Sequence, residues 1–413
     1  MSKGEVPDTL LPTRTRKTLQ AMKAPRFGVS EANPGEMLYV HVPKLNENEV
    51  LMPRSLALRL NIDLSGGHEN NFLVQNVTQA LVSKMEVKFG STILQQKNGF
   101  DIFKIYKDLF LSQEQRDNMI IEGIQSEDLC KIWSNARDKK TPGVDTKKKL
   151  KEIYGTKYLI RLDHEILTDH GVFYPQALYN DLVFEVTLSP ASQVVKGSDP
   201  TKLKYKVTSI QLQYEMIHSE MLAEEACSVY SSGKEFVYDH VQLDSIPSFQ
   251  KGSDTQLYIK VNPQKRSMKA ILLLFVEPYS PGACDSEKYI FPDLTKVQVT
   301  INGSPNMLYN EGIVSTDLWA EASRFFVKEK NKTEHMNLKL FLAGDKFGLL
   351  IDLRSMADRT MHDSGTRLVN TTDGVQLELE RKATGSGKIN CHIFIISDSQ
   401  VNIIGNQFDT VQY

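Results

Sequence analysis

The sequence predicts an all-β protein with a few helices, built as two tandem eight-stranded jelly-roll β-sandwiches. Many short segments alternate apolar and polar residues, glycine-bearing turns separate them, and a strand–turn–helix unit occurs twice. With 413 residues the chain exceeds what one compact core serves, so two domains are expected. The expected division is an N-terminal arm over 1–35, a first jelly roll over 36–225 and a second over 226–413.

Residues 1–35 show no periodicity. They hold Pro7, Pro12, Pro25 and Pro34, and six basic residues (Lys3, Arg14, Arg16, Lys17, Lys23, Arg26) against three acids. They read as an extended arm: a frayed terminus, or a segment that reaches a neighbouring subunit or an internal partner. From Met37 onward period-two alternation marks strands at Met37–Val42, Ser55–Leu64 and Lys84–Leu94, each for a sheet with one buried face. Over Phe100–Phe110 the apolar spacing changes to three and four, which predicts an amphipathic helix continuing to Arg116. The basic stretch Arg137–Lys151 reads as a solvated loop. Strands resume at Tyr158–Leu162, Leu182–Leu188 and Leu203–Ile217, and Ser219–Cys227 has the composition of a short helix or linker.

The second half begins near Tyr230. Strands are expected at Thr255–Val261, Lys269–Val276 and Lys296–Ile301, the last ending on the turn pair Asn302-Gly303. A second amphipathic helix is expected at Asp317–Val327, then strands at Phe347–Leu353, Val375–Glu380 and Ile389–Ile404. Met85–Ser91 resembles Val297–Ser304, and each is followed by a loop and an aromatic helix. A repeat of roughly 190 to 210 residues is too long for a solenoid and points to duplication of a whole domain.

The net charge of −2 argues against a protein whose main task is gripping nucleic acid. The longest apolar run, Ala270–Val276, is too short to span a bilayer. Met1–Leu11 holds no apolar segment of a secretory signal, so a protein that is not secreted is expected. Cys130, Cys227, Cys284 and Cys391 stand far apart, without zinc spacing, and read as reduced thiols. Sequons at Asn76, Asn302, Asn331 and Asn370 read as chance matches.

Little in the sequence points to catalysis. Thr384-Gly385-Ser386-Gly387-Lys388 resembles the end of a phosphate-binding loop, but Lys382 stands in place of the first glycine and Ile389 in place of the Mg²⁺-binding hydroxyl. Its position between two strands predicts a hairpin turn. Asp163-His164-Glu165 with Asp169-His170 lacks the spacing of a zinc helix and reads as polar contacts at a sandwich rim. Asp352, Arg354, Asp358, Arg359, His362 and Asp363 read as a charged surface loop or an inter-subunit ion-pair patch. The aromatics Phe100, Phe103, Tyr106, Phe110, Trp319, Phe325 and Phe326 are expected to pack under the sheets. No catalytic, cofactor-binding or metal-binding residue is assigned, and an enzyme is not expected.

Asn71–Val77, Leu81–Gly90, Tyr179–Leu188 and Leu203–Leu212 together resemble the major capsid proteins of Polinton/Maverick elements, adintoviruses and virophages. The likeness covers about 36–225 in sequence and the remainder in the order of its elements; the chain is shorter than typical Polinton capsid proteins. The resemblance implies a homotrimer forming pseudo-hexagonal capsomers of an icosahedral capsid, neighbouring capsomers and penton proteins as partners, and a place in the virion. It also implies synthesis in the host cytoplasm or assembly in the nucleus, and makes the arm a candidate contact to an internal membrane. No specific nucleic-acid binding and no cofactor are expected. A minor capsid or penton-like protein would have one jelly roll, which the repeat opposes. A β-sandwich carbohydrate-binding module would call for a signal peptide, disulfides or exposed tryptophan; the chain has only Trp133 and Trp319, in or near helical segments.

Overall fold

The computed structural model describes residues 13–20, 31–52, 54–65, 71–124, 158–162, 164–168, 173–262, 264–306, 315–326, 336–354, 364–369, 373–409 and 411–412. In the first half the main strands are β1 (Thr13–Gln20), β2 (Met37–His41), β3 (Ala57–Ser65), β4 (Val82–Phe89), β5 (Thr92–Asn98), β6 (Tyr158–Arg161), β7 (Leu182–Leu188) and β8 (Lys204–His218). In the second half they are β9 (Lys234–Ser245), β10 (Gln256–Val261), β11 (Met268–Val276), β12 (Leu294–Ile301), β13 (Ser304–Pro305), β14 (Leu349–Asp352), β15 (Val375–Arg381) and β16 (Lys388–Ile404).

These strands make four antiparallel sheets. The first half has the orders β1-β8-β3-β6 and β2-β7-β4-β5; the second has β9-β16-β11-β14 and β10-β15-β12-β13. Adding eight to each strand number turns the first pair of sheets into the second. The central strands are fully flanked in both halves: Glu31–Ala32 and Glu49–Leu51 complete the pairing of β8, while Ser248–Gln250 and Gln407–Phe408 complete that of β16. Each pair of sheets encloses apolar side chains from both members, such as Leu38 and Val40 with Leu58 and Leu60 in the first sandwich.

Strand β7 buries every second residue, as its sequence alternation requires. The aligned segments around Glu86 and Gln298 lie on β4 and β12, which hold the same place in their sheets. Asn302 and Gly303 adopt φ 50° and 77°, the left-handed conformation expected of that turn.

The structure adds detail to four stretches of the sequence reading. Lys84–Leu94 is not one strand but the hairpin β4–β5, because Gly90 takes φ 58° and reverses the chain. The helix from Phe100 ends at Asp108, and a second runs Gln113–Asn118. Ser112 divides them with a capping box: its Oγ accepts the Gln115 N–H at 3.2 Å, and Gln115 Oε1 accepts the Ser112 N–H at 3.0 Å. Within the expected arm, Thr13–Gln20 pairs with β8 as a sheet strand, the counterpart of β9. The helix after β8 runs Glu220–Ser232, capped by Ser219, so the boundary expected at 225/226 falls inside it. Residues 1–12, 21–30 and the basic stretch Arg137–Lys151 lie outside the described residues.

Candidate functional site

The segment resembling a phosphate-binding loop is the turn between β15 and β16, with Gly385 at φ 80° and Gly387 at φ 102°, and no helix follows it. Thr384 Oγ1 donates to Asp293. Beside it lies a cleft of about 270 Å³ whose lining includes Lys251, Glu277, Lys288 and Arg381. Its charges are matched: Glu277 accepts from both lysines, Lys288 at 3.2 Å. The buried Arg381 guanidinium donates to the carbonyls of Pro292, Lys251 and Asp254 at 3.0, 3.0 and 2.6 Å. This arrangement ties strand ends together.

His164 is buried, and its Nδ1 accepts the Ile166 N–H at 3.3 Å; the side chains of Asp163, Glu165, Asp169 and His170 lie outside the described residues. In the other charged cluster Arg354 clasps Asp352, Nε–Oδ1 at 3.0 Å and Nη2–Oδ2 at 2.7 Å, while Asp358, Arg359, His362 and Asp363 are outside the described residues. Cys227, Cys284 and Cys391 are free thiols, and burial pushes the Cys284 thiol up to about 11; Cys130 and Trp133 are not among the described residues. Among the described residues no group of three His, Cys, Asp or Glu side chains could hold a metal ion, and no helix is long and apolar enough to cross a membrane.

The chemistry of the molecule concentrates instead where the two sandwiches meet. The helix Phe100–Asp108 follows β5 in the first half, yet most of its apolar face belongs to the core of the second. Phe100 packs into the first core, whereas Phe103, Ile105 and Tyr106, with Leu109 and Phe110 beyond them, pack into the second. Phe103 lies 5.5 Å from the Phe394 ring of β16, and Tyr106 meets Tyr289 edge-on at 5.2 Å. Phe110 stacks on Phe326 at 5.0 Å and on Trp319 at 6.1 Å, which joins this segment to the helix Ser315–Phe326. In return Phe236 and Tyr238 of β9, Val401 and Ile403 of β16, and Phe408 belong to the first core. The aromatic stripes expected from sequence are therefore core, but they bridge two cores.

Polar groups close the same seam. Glu287, only 5% exposed, accepts from Arg116 Nη2 at 2.6 Å, from Asn76 Nδ2, and from Lys346 Nζ at 3.4 Å. Burial pushes its carboxyl upward, but the two cations and the hydrogen bonds outweigh this and hold it below its ordinary value. Tyr289 Oη donates to the Ile102 carbonyl at 2.8 Å, Ser286 Oγ to the Gln75 carbonyl at 2.6 Å, and Tyr238 Oη to the Leu94 carbonyl. Sequence reasoning missed Asn76, Arg116, Glu287 and Lys346, because no local pattern connects positions so far apart. The seam makes the two sandwiches one block.

No family model and no curated protein matches the sequence. Solved structures do match across nearly the whole chain. A PBCV-1 virus capsid structure aligns with TM-score 0.63 at 10% identity, covering 97% of this chain and 97% of that one. The mavirus major capsid protein aligns with TM-score 0.54 at 10% identity, over 100% of this chain and 92% of its own. A Sputnik virophage structure aligns with TM-score 0.57 at 9% identity, over 96% and 88%. The fold is a double jelly roll. The paired sheets, with eight main strands in each half, correspond to the sandwiches expected from the sequence, and as open sheets they do not close into barrels.

Proposed function

We propose that this double jelly roll is a major capsid protein: a structural protein that trimerises into pseudo-hexagonal capsomers and tiles an icosahedral shell. The observation that carries this reading is the head-to-tail seam. The first roll uses its β5 side and the helix Phe100–Asp108; the second uses β9, β16 and β11. The surfaces are unlike, so the contact is heterologous, and such contacts build rings when the rotation closes. By the correspondence of strands, the second roll still offers its β13 side, and the first still offers the sheet β1-β8-β3-β6. Joining these surfaces between copies puts six rolls from three chains into one ring. The solved structures named above, from a virus capsid, a virophage and a mavirus capsid protein, support a shell-building role.

On this reading the chain passes from the first jelly roll to the second through the helix Glu220–Ser232, the partners are copies of the same chain and other shell proteins, and the place of action is the virion capsid. The role is structural, not enzymatic, with the charged and aromatic clusters serving packing. The test is the mass of the purified protein in solution over a range of concentrations. Three chains per particle are expected; a monomer at every concentration that binds a sugar would overturn the proposal in favour of a carbohydrate-binding module.

A further inference from the structure

We propose that His164 makes the seam between the two jelly rolls an acid-sensitive joint, whose protonation loosens the contact of β5 and the segment 164–168 with β9 while each roll keeps its own sheets. The geometry is specific. His164 belongs to the first roll, is 3% exposed, and its ring lies 5.0 Å from that of Tyr238 on β9 of the second. Its Nδ1 accepts the backbone N–H of Ile166 at 3.3 Å, so the neutral ring carries its proton on Nε2. The Nε2 atom is buried with no hydrogen-bond partner.

A second proton could enter only at Nδ1, and it would displace the Ile166 N–H. The resulting imidazolium would also face Lys97 on β5 and His240 on β9, and His240 in turn faces Lys265 in the loop after β10. Burial first, then Lys97 and His240, hold His164 well below the ordinary histidine value. Burial, with Lys265 and Lys97, pushes His240 down to about 3. A histidine kept neutral in the fold but free to charge when exposed costs nothing above about pH 6.5 and favours the opened form below it. The joint therefore holds at neutral pH and weakens as pH falls, before carboxylates begin to titrate. This behaviour belongs to the single chain and does not depend on the shell reading.

Hydrogen exchange of the full chain, corrected for the pH dependence of the intrinsic rates, tests it at peptides covering β5, 164–168 and β9, with β12 and β15 as internal references. Between pH 6.5 and 5, protection at the seam peptides is expected to fall by up to about a hundredfold per pH unit, because His164 and His240 both leave the seam neutral and charge once it opens, while the references hold. His164→Gln, whose amide oxygen can still accept the Ile166 N–H, is expected to reduce that slope to about tenfold per pH unit, the share of His240 alone. Uniform loss across all peptides, full protection down to pH 5, or an unchanged pH response in the variant would overturn the proposal. Should the variant fail to fold, an imidazole NMR titration of the wild-type protein decides: the His164 ring must stay neutral until the seam signals change with it. A ring that charges near pH 6.5 in an intact seam would refute the joint.

Discussion

The sheets β1-β8-β3-β6 and β9-β16-β11-β14 have the same order but opposite surroundings. In β3 the buried Leu58, Leu60, Ile62 and Leu64 alternate with Arg59, Asn61 and Asp63, which reach the surface in whole or part. In β11 every residue from Ala270 to Phe275 is fully buried. Alternate positions of the second sheet meet different partners. Phe275 faces Phe249 and Phe347 inside its own sandwich, while Leu274 lies against the Tyr106 side and Phe394 against Phe103 of the first. A sheet covered on one face alternates; a sheet covered on both reads as a continuous apolar run. The middle of the second sheet, β11 with the adjoining part of β16, is sealed within the chain, while β3 of the first keeps a polar face.

Substitutions should reproduce that asymmetry. Phe394→Ala, which empties the place where β16 meets the helix Phe100–Asp108, is expected to cost about 4 kcal/mol in urea unfolding. Glu287→Ala would leave Arg116 and Lys346 buried without their anion, at about 3 kcal/mol. Gly348→Ala is expected to cost about 2 kcal/mol, because a Cβ there would lie 2.4 Å from Tyr106 Oη and could fit only by forcing the seam apart. A loss below about 0.5 kcal/mol for all three would show that the seam is not a packed core.

A smaller effect separates the other two sheets. Glu86 on β4 pairs across to Glu185 as Gln298 on β12 pairs across to Glu378, so one row differs by a charge. Burial raises Glu86, but Lys84 at 2.5 Å and Lys88 at 2.8 Å outweigh it and bring the carboxyl to about 2. Its folded value lies below its unfolded one, so its contribution is present above about pH 4.5 and is lost as pH falls toward 2. Glu86→Gln is expected to flatten that part of the acid unfolding curve; an unchanged curve would assign the acid response elsewhere. Smallest of all, Arg59→Ala on the open face of β3 should change stability by less than about 0.5 kcal/mol while weakening association between copies.

Much of this architecture was legible in the sequence. Period-two alternation located β2, β3, β7 and β8, and the similarity of Met85–Ser91 to Val297–Ser304 marks equivalent strands, β4 and β12. What escaped has physical reasons. Strand β9 carries Asp239 and His240 within its alternation, and β1 (TRTRKTLQ) is too polar to stand out from an arm; its place is defined only by pairing with β8. The break at Ser112 was hidden because the apolar spacing continues while the backbone hydrogen bonding does not. At the seam, the amphipathic stripe of Phe103 and Tyr106 was visible, but a stripe does not say which core receives it. The Glu287 cluster left no signal, since its members come together only through the tertiary fold.

The most direct test is a cryo-electron microscopy reconstruction of the purified protein at assembling concentration. Three chains are expected in a ring of six jelly rolls, with the β1-β8-β3-β6 sheet of each copy against the β13 side of its neighbour's second roll. A two-fold particle in which copies meet through the same surface, or isolated two-roll monomers throughout, would contradict it.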